Sequence, residues 1–293
     1  MQPADTQRTL PPGAPADLIG RLAAAFAAEP AVVAVALGGS RGGGGIGWDD
    51  ASDLDLEVVT SGTLAPEARQ RILRAAGAPD ARPANPGFWG DADEWRDGAT
   101  GILVDASYFD AAWLEDQLDR VLVRHLPSLG YSTCLWHTVR TCTPVHDPLG
   151  RLAALVRRAA VPYPGPLRRA VIAHNRAALR GFPSAWEEQV ARAAGRRDAV
   201  AVNHRLAGLL ASYVDILFAL NRAPHPGEKR LLEAVTERCP ERPPAALDDL
   251  EAILAIPATR ATGLPDLVRH LLDDLDALLA GTSDRDEELL PAP

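Results

Sequence analysis

The pattern of hydrophobic residues changes kind near residue 150, and no single-layer fold accommodates both halves. Three segments in the first 110 residues read as strands: "AVVAVALGG" is a buried run that ends in glycines, "SDLDLEVVT" alternates before turning apolar, and "GILVDASYF" is apolar around one aspartate. Helical spacing separates them in "ADLIGRLAAAFAAEP", which stops at Pro30, and in "APEARQRILRAAG", which has Pro near its start and Gly after its end. Asp110 is placed to cap a helix beginning "AAWLEDQLDRVL", and "TCTPVHDPLG" has the chemistry of turns. Beyond residue 150 only helical patterns remain, over 150–160, 165–181, 185–195, 198–221, 227–237, 245–256 and 263–280. The expected fold class is α+β: a mixed sheet with helices, followed by an all-α helical bundle. The expected divisions are a flexible N-terminus at 1–15, an α+β domain at 16–148, a helical substrate-binding domain at 149–281 and an acidic tail at 282–293.

Charge follows the same division. Residues 1–150 carry a net −9, residues 151–233 a net +8 and residues 234–293 a net −8. The overall −9 argues against general nucleic-acid binding, which favours a basic excess. An acidic segment beside a basic one suits a metal-bound polyphosphate, although solvated helix faces account for most of the individual arginines. Hydrophobic content of 47% and charged content of 24% fit a soluble globular protein. No apolar run approaches the roughly 20 residues of a membrane helix. No signal-peptide pattern opens the sequence, and the three cysteines lack metal-type spacing, so a cytoplasmic location is expected.

Chemistry concentrates in "LGGSRGGGGIGWDDASDLDLEVV", residues 37–59. Strand alternation points Asp53 and Asp55 to one face and Leu54 and Leu56 to the other. Two adjacent carboxylates repel unless a cation lies between them, and Mg²⁺ takes oxygen ligands from one or two carboxylates plus phosphates. Taken alone, this D-x-D also fits a solvent-facing pair. Gly38 and Gly39 permit close backbone approach and positive φ, Ser40 supplies a hydroxyl, and Arg41 supplies a charge-assisted donor. Asp105, mid-strand among apolar residues, needs a partner for its charge, and a shared metal would serve. The pattern is neither the dinucleotide-binding G-x-G-x-x-G nor a P-loop.

As a set, Leu37-Gly38-Gly39-Ser40, Asp53-Leu54-Asp55-Leu56 and the later strand residue Asp105 resemble the DNA polymerase beta-type nucleotidyltransferase superfamily. Its core motif is hG-[GS], then [DE]-h-[DE]-h, then a third acid on a later strand. The two-part plan is similar to its small-molecule members, the aminoglycoside and lincosamide nucleotidyltransferases. The glycine-heavy loop with its extra Asp49-Asp50 pair departs from that pattern. The resemblance implies two Mg²⁺ ions on Asp53, Asp55 and Asp105, with Gly38, Gly39, Ser40 and Arg41 on the triphosphate of ATP or another NTP. It further implies transfer of a nucleoside monophosphate, AMP first, to a hydroxyl of a small molecule, with antibiotic resistance or biosynthesis as the role. Lys229, the only lysine, is the candidate phosphate contact from the helical half. Asp198 is the candidate general base there, with Asp105 as the alternative. Trp89 and Trp95 are candidates to stack on a base or acceptor, beside a reading as core residues. A protein- or tRNA-modifying enzyme of antitoxin type and a non-catalytic nucleotide-binding regulator are the competing readings. The three acids weigh against the regulator.

Overall fold

The computed structural model describes residues 15–39, 53–81 and 90–283. The chain divides into two compact units, each drawn from two stretches: Met1–Asp119 with Leu135–Val161, and Arg120–Cys134 with Pro162–Pro293. The observed division therefore differs from a single cut after residue 148. Residues 120–134 belong with the helical unit, and residues 149–161 belong with the sheet unit.

In the sheet unit, β1 (Val32–Leu37), β2 (Leu54–Thr60), β3 (Ala92–Arg96), β4 (Leu103–Asp110) and β5 (Thr143–His146) form one sheet in the order β3-β4-β2-β1-β5. Only β2 and β4 are parallel, and the other neighbouring pairs run antiparallel. The three strands legible in the sequence are the central ones. Both edge strands escape the pattern because edges are short and polar: β3 reads A-D-E-W-R, and β5 contains Pro144, which an edge tolerates.

Helix α1 (Ala16–Ala27) buries Leu18, Ile19, Leu22, Ala25 and Phe26 as one stripe and ends ahead of Pro30. Helix α2 (Pro66–Ala75) opens with proline at its first turn and buries Ala68, Arg69, Ile72 and Leu73. Both stripes enter one core with Val35, Leu37, Leu54, Leu56, Val58, Val104 and Ala106. Fully buried Leu22 and Phe26 contribute roughly 1.5–3 kcal/mol each by leaving water. Asp110 caps α3 (Ala111–Leu122) as expected: one carboxylate oxygen accepts from Trp113 N–H at 2.9 Å and the other from Gly62 N–H at 2.8 Å. After α4 (Cys134–Thr141) and α5 (Arg151–Ala159), Trp136 Nε1–H donates to the Ala159 carbonyl at 2.8 Å, tying those two segments together.

The helical unit holds α6 (Gly165–Leu179), α7 (Trp186–Gly195), α8 (Ala199–Leu220), α9 (Leu231–Arg238), α10 (Ala246–Ala255) and α11 (Leu264–Ser283). Each coincides with a helical pattern expected from sequence to within a few residues. From Ala211 to Leu220 every residue of α8 is buried, as a central helix requires. Gly208 lets α7 approach, since a Cβ there would lie 2.7 Å from the Trp186 ring. Asp215, in the middle of α8, accepts from Ser132 N–H at 3.1 Å and from Asn175 Nδ2–H at 3.0 Å. Burial raises its carboxyl to about 6 while these donors hold it down. No helix among the described residues is long and apolar enough to cross a membrane.

Candidate functional site

Register assigns the sheet's two faces. Leu54, Leu56 and Val58 of β2 turn toward the core under α1 and α2, so Asp55 and Glu57 occupy the opposite face. Asp53 immediately precedes the strand with the same parity. On β4, Asp105 is the direct parallel partner of Asp55. On β3, Glu94 stands opposite Asp105, and it is exposed. One sheet face thus gathers Asp53, Asp55, Glu57, Asp105 and Glu94 from three adjacent strands.

The Gly38–Gly39 turn is shaped around these acids. Gly39 adopts φ +54°, the left-handed region. A Cβ on Gly39 would overlap Asp55 Oδ2, and a Cβ on Gly38 would overlap Glu57 Oε1. The two glycines leave room for carboxylates, a reason for them that the phosphate reading did not contain. Gly38 N–H donates to the Asp55 carbonyl at 3.0 Å, extending the β1–β2 ladder. That amide is committed to the sheet, so of the two glycines Gly39 is the one with an amide to offer a phosphate. Ser40 and Arg41 lie outside the described residues, as do Asp49, Asp50 and Trp89.

Electrostatics mark the same place. The Glu57 carboxyl is raised to about 8, first by burial and then by the negative charges of Asp55 and Asp105. The negative charges that raise it are those a cation on this face would offset. The donor set is all carboxylate oxygen, as hard divalent cations such as Mg²⁺ require. Asp55 and Asp105 stand side by side in register and Asp53 lies two residues ahead of Asp55, so carboxylate oxygens are what this face offers. Glu57 was not singled out from sequence, although its parity with Asp53 and Asp55 in "DLDLE" was the available signal.

The opposite face shows what a structural acid looks like. Asp93 of β3 is fully buried and receives Arg69 Nε–H at 3.0 Å and Tyr108 O–H at 2.7 Å. Trp95 lies in the same core, 6% exposed, so packing explains it.

The other sequence candidates belong to the helical unit. Asp198 is the N-cap of α8, and its Oδ1 accepts from Ala201 N–H at 3.0 Å. Lys229 is exposed in the turn before α9.

A family model described as "Domain of unknown function (DUF4037)" matches residues 133–231, about a third of the chain. The matched stretch runs from the start of α4 to the start of α9 and lies outside the acid-bearing strands β2–β4. No curated protein matches. Among solved structures, the chain is similar to a nucleotidyltransferase-like protein from Exiguobacterium sibiricum 255-15, at 14% identity and a TM-score of 0.41, over 90% of this chain and 78% of that one.

Proposed function

We propose that the sheet unit is a metal-dependent nucleotidyltransferase site. It moves a nucleoside monophosphate, AMP from ATP as the first choice, onto a hydroxyl of a small molecule such as an antibiotic or natural product, and releases pyrophosphate. One observation carries the reading: Asp55 and Asp105 are register partners on one sheet face, with Asp53 at the entry to β2, and the Gly-Gly turn lacks the side chains that would overlap Asp55 and Glu57. The sequence resemblance names the chemistry that such a set performs.

Asp53, Asp55 and Asp105 would hold Mg²⁺, two ions in the full arrangement. When bound, the metal neutralises phosphate oxygens and stabilises the attacking and leaving oxygens of an in-line displacement. The chain's own contribution is positioning. Strand pairing fixes Asp55 beside Asp105, and burial of Leu54 and Leu56 prevents a register slip that would turn the acids inward. Gly39, Ser40 and Arg41 are the phosphate donors in this reading. Protonated Glu57 keeps the cluster's net charge lower than five ionised acids would give.

In the reaction the acceptor oxygen bonds to the α-phosphorus, the bond from that phosphorus to the pyrophosphate oxygen breaks, and the hydroxyl proton passes to a carboxylate. Asp105 is the base favoured by position, since the Asp198 carboxylate serves a helix cap. The test is pyrophosphate release from each NTP with Mg²⁺ across a panel of hydroxyl-bearing antibiotics, with mass spectrometry of the acceptor. An acceptor gaining one nucleoside monophosphate with the wild type and none with Asp53→Asn supports the proposal. Product at the wild-type rate from Asp53→Asn contradicts it.

A further inference from the structure

Helices α10 and α11 gather a second set of metal-type side chains, within the helical unit. His270 and Asp274 are four residues apart on α11 and therefore share a stripe, and Asp249 reaches them from α10. His270 Nε2 stands 4.0 Å from Asp249 Oδ2 and 3.9 Å from Asp274 Oδ2, and one donor atom from each residue lies within 4.8 Å of the others. These separations exceed a hydrogen bond. Shifts of about half an ångström per side chain would bring all three atoms to the roughly 2.0–2.2 Å of zinc–nitrogen and zinc–oxygen bonds.

Two buried atoms, one in the cluster and one on α8, have no hydrogen-bond partner. Asp249 Oδ2 is shielded from solvent and has no hydrogen-bond partner. Tyr213 of α8 is wholly buried, and its hydroxyl also has no partner. Burial first, and then the charges of Asp249 and Asp274, push the proton affinity of its phenol up. A buried O–H ordinarily finds an acceptor. Here the acceptors within electrostatic reach are the carboxylates of the cluster, and donors to ligating carboxylates are a regular part of metal sites. Imidazole with two carboxylates is a mixed nitrogen–oxygen set, which favours Zn²⁺ and its transition-metal neighbours over Mg²⁺.

We propose that Asp249, His270 and Asp274 form a Zn²⁺-class site that clamps α10 to α11, with the Tyr213 hydroxyl supporting the carboxylates and one coordination position left to water. None of its three ligands belongs to the acid set on the sheet.

Full-length protein stripped of metal is titrated with Zn²⁺ alone by calorimetry, and with Co²⁺ followed by its visible ligand-field bands. His270 is 58% exposed, so His270→Ala should fold and melt like the metal-free wild type. The expected result is one Zn²⁺ whose affinity falls about tenfold or more in His270→Ala and in Asp249→Asn, and stays unchanged in Asp53→Asn. The Co²⁺ spectrum should vanish with His270, and Zn²⁺ should raise the melting temperature of the wild type but not of His270→Ala. Unchanged Zn²⁺ affinity in His270→Ala would overturn the proposal. So would the absence of Zn²⁺ binding by the wild-type protein.

Discussion

The two faces of the sheet treat their acids in opposite ways. On the helix-covered face Asp93 is surrounded by donors: Arg69 and Tyr108 both bond to its carboxylate, and α2 is anchored to β3 by the result. On the other face Asp55, Glu57 and Asp105 have one another as charged neighbours, and Glu57 is pushed to about 8 as a consequence. On the first face the carboxylate is bonded by named donors, and on the second strand register sets carboxylates side by side, an arrangement that a bound cation would favour.

Substitutions that separate function from stability test this contrast most strongly. Asp55→Asn is expected to lower nucleotidyl transfer by roughly 10³-fold or more while the circular dichroism spectrum and melting temperature stay at or above wild type. Asp93→Asn should do the reverse. It removes the nearer and buried of the two carboxylates facing the Arg69 guanidinium, leaving the more exposed Asp91 at 3.8 Å, at a cost of up to about 3–5 kcal/mol in denaturant unfolding. Equal loss of stability in both variants would erase the distinction between the faces.

Gly39→Ala should damage both properties. Its Cβ meets Asp55 Oδ2, and the left-handed φ costs about 1 kcal/mol for a residue other than glycine. Metal-dependent nucleotide binding should weaken together with a small drop in melting temperature, and wild-type binding in this variant would show that the turn does not frame the acids.

The smallest effect is a pH dependence. Glu57 has its proton affinity raised by folding, from 4.5 to about 8. Its contribution to stability is full below about 4.5 and declines as pH rises toward 8, because the folded state must then release a proton it holds more tightly than the unfolded chain does. In metal-free protein Glu57→Gln should flatten the fall in melting temperature between pH 5 and pH 9. An identical profile in that variant would remove Glu57 from the cluster.

The same physical division explains what the sequence disclosed. Central strands and helices announce themselves because burial imposes a period: "AVVAVALGG", "SDLDLEVVT" and the apolar spacing of α6 to α11 sit where expected. The edge strands β3 and β5 are half-exposed, so A-D-E-W-R and T-P-V-H carry turn-like and charged residues and no period. The exchange of residues 120–134 and 149–161 between units rests on long-range contacts such as Ser132 with Asp215, which no local pattern encodes. The acids of β2 were legible through parity, and Glu57 obeyed that rule too. Asp198 carried a simpler signal: an aspartate directly before an apolar helix is an N-cap.

The most direct measurement is calorimetric titration of the full-length protein with a non-hydrolysable ATP analogue, with and without Mg²⁺, in wild type and Asp53→Asn. Binding is expected to require Mg²⁺ and to be lost in the variant. Binding that is equal with and without the metal, or equal in Asp53→Asn, would contradict a metal–nucleotide site on this sheet face.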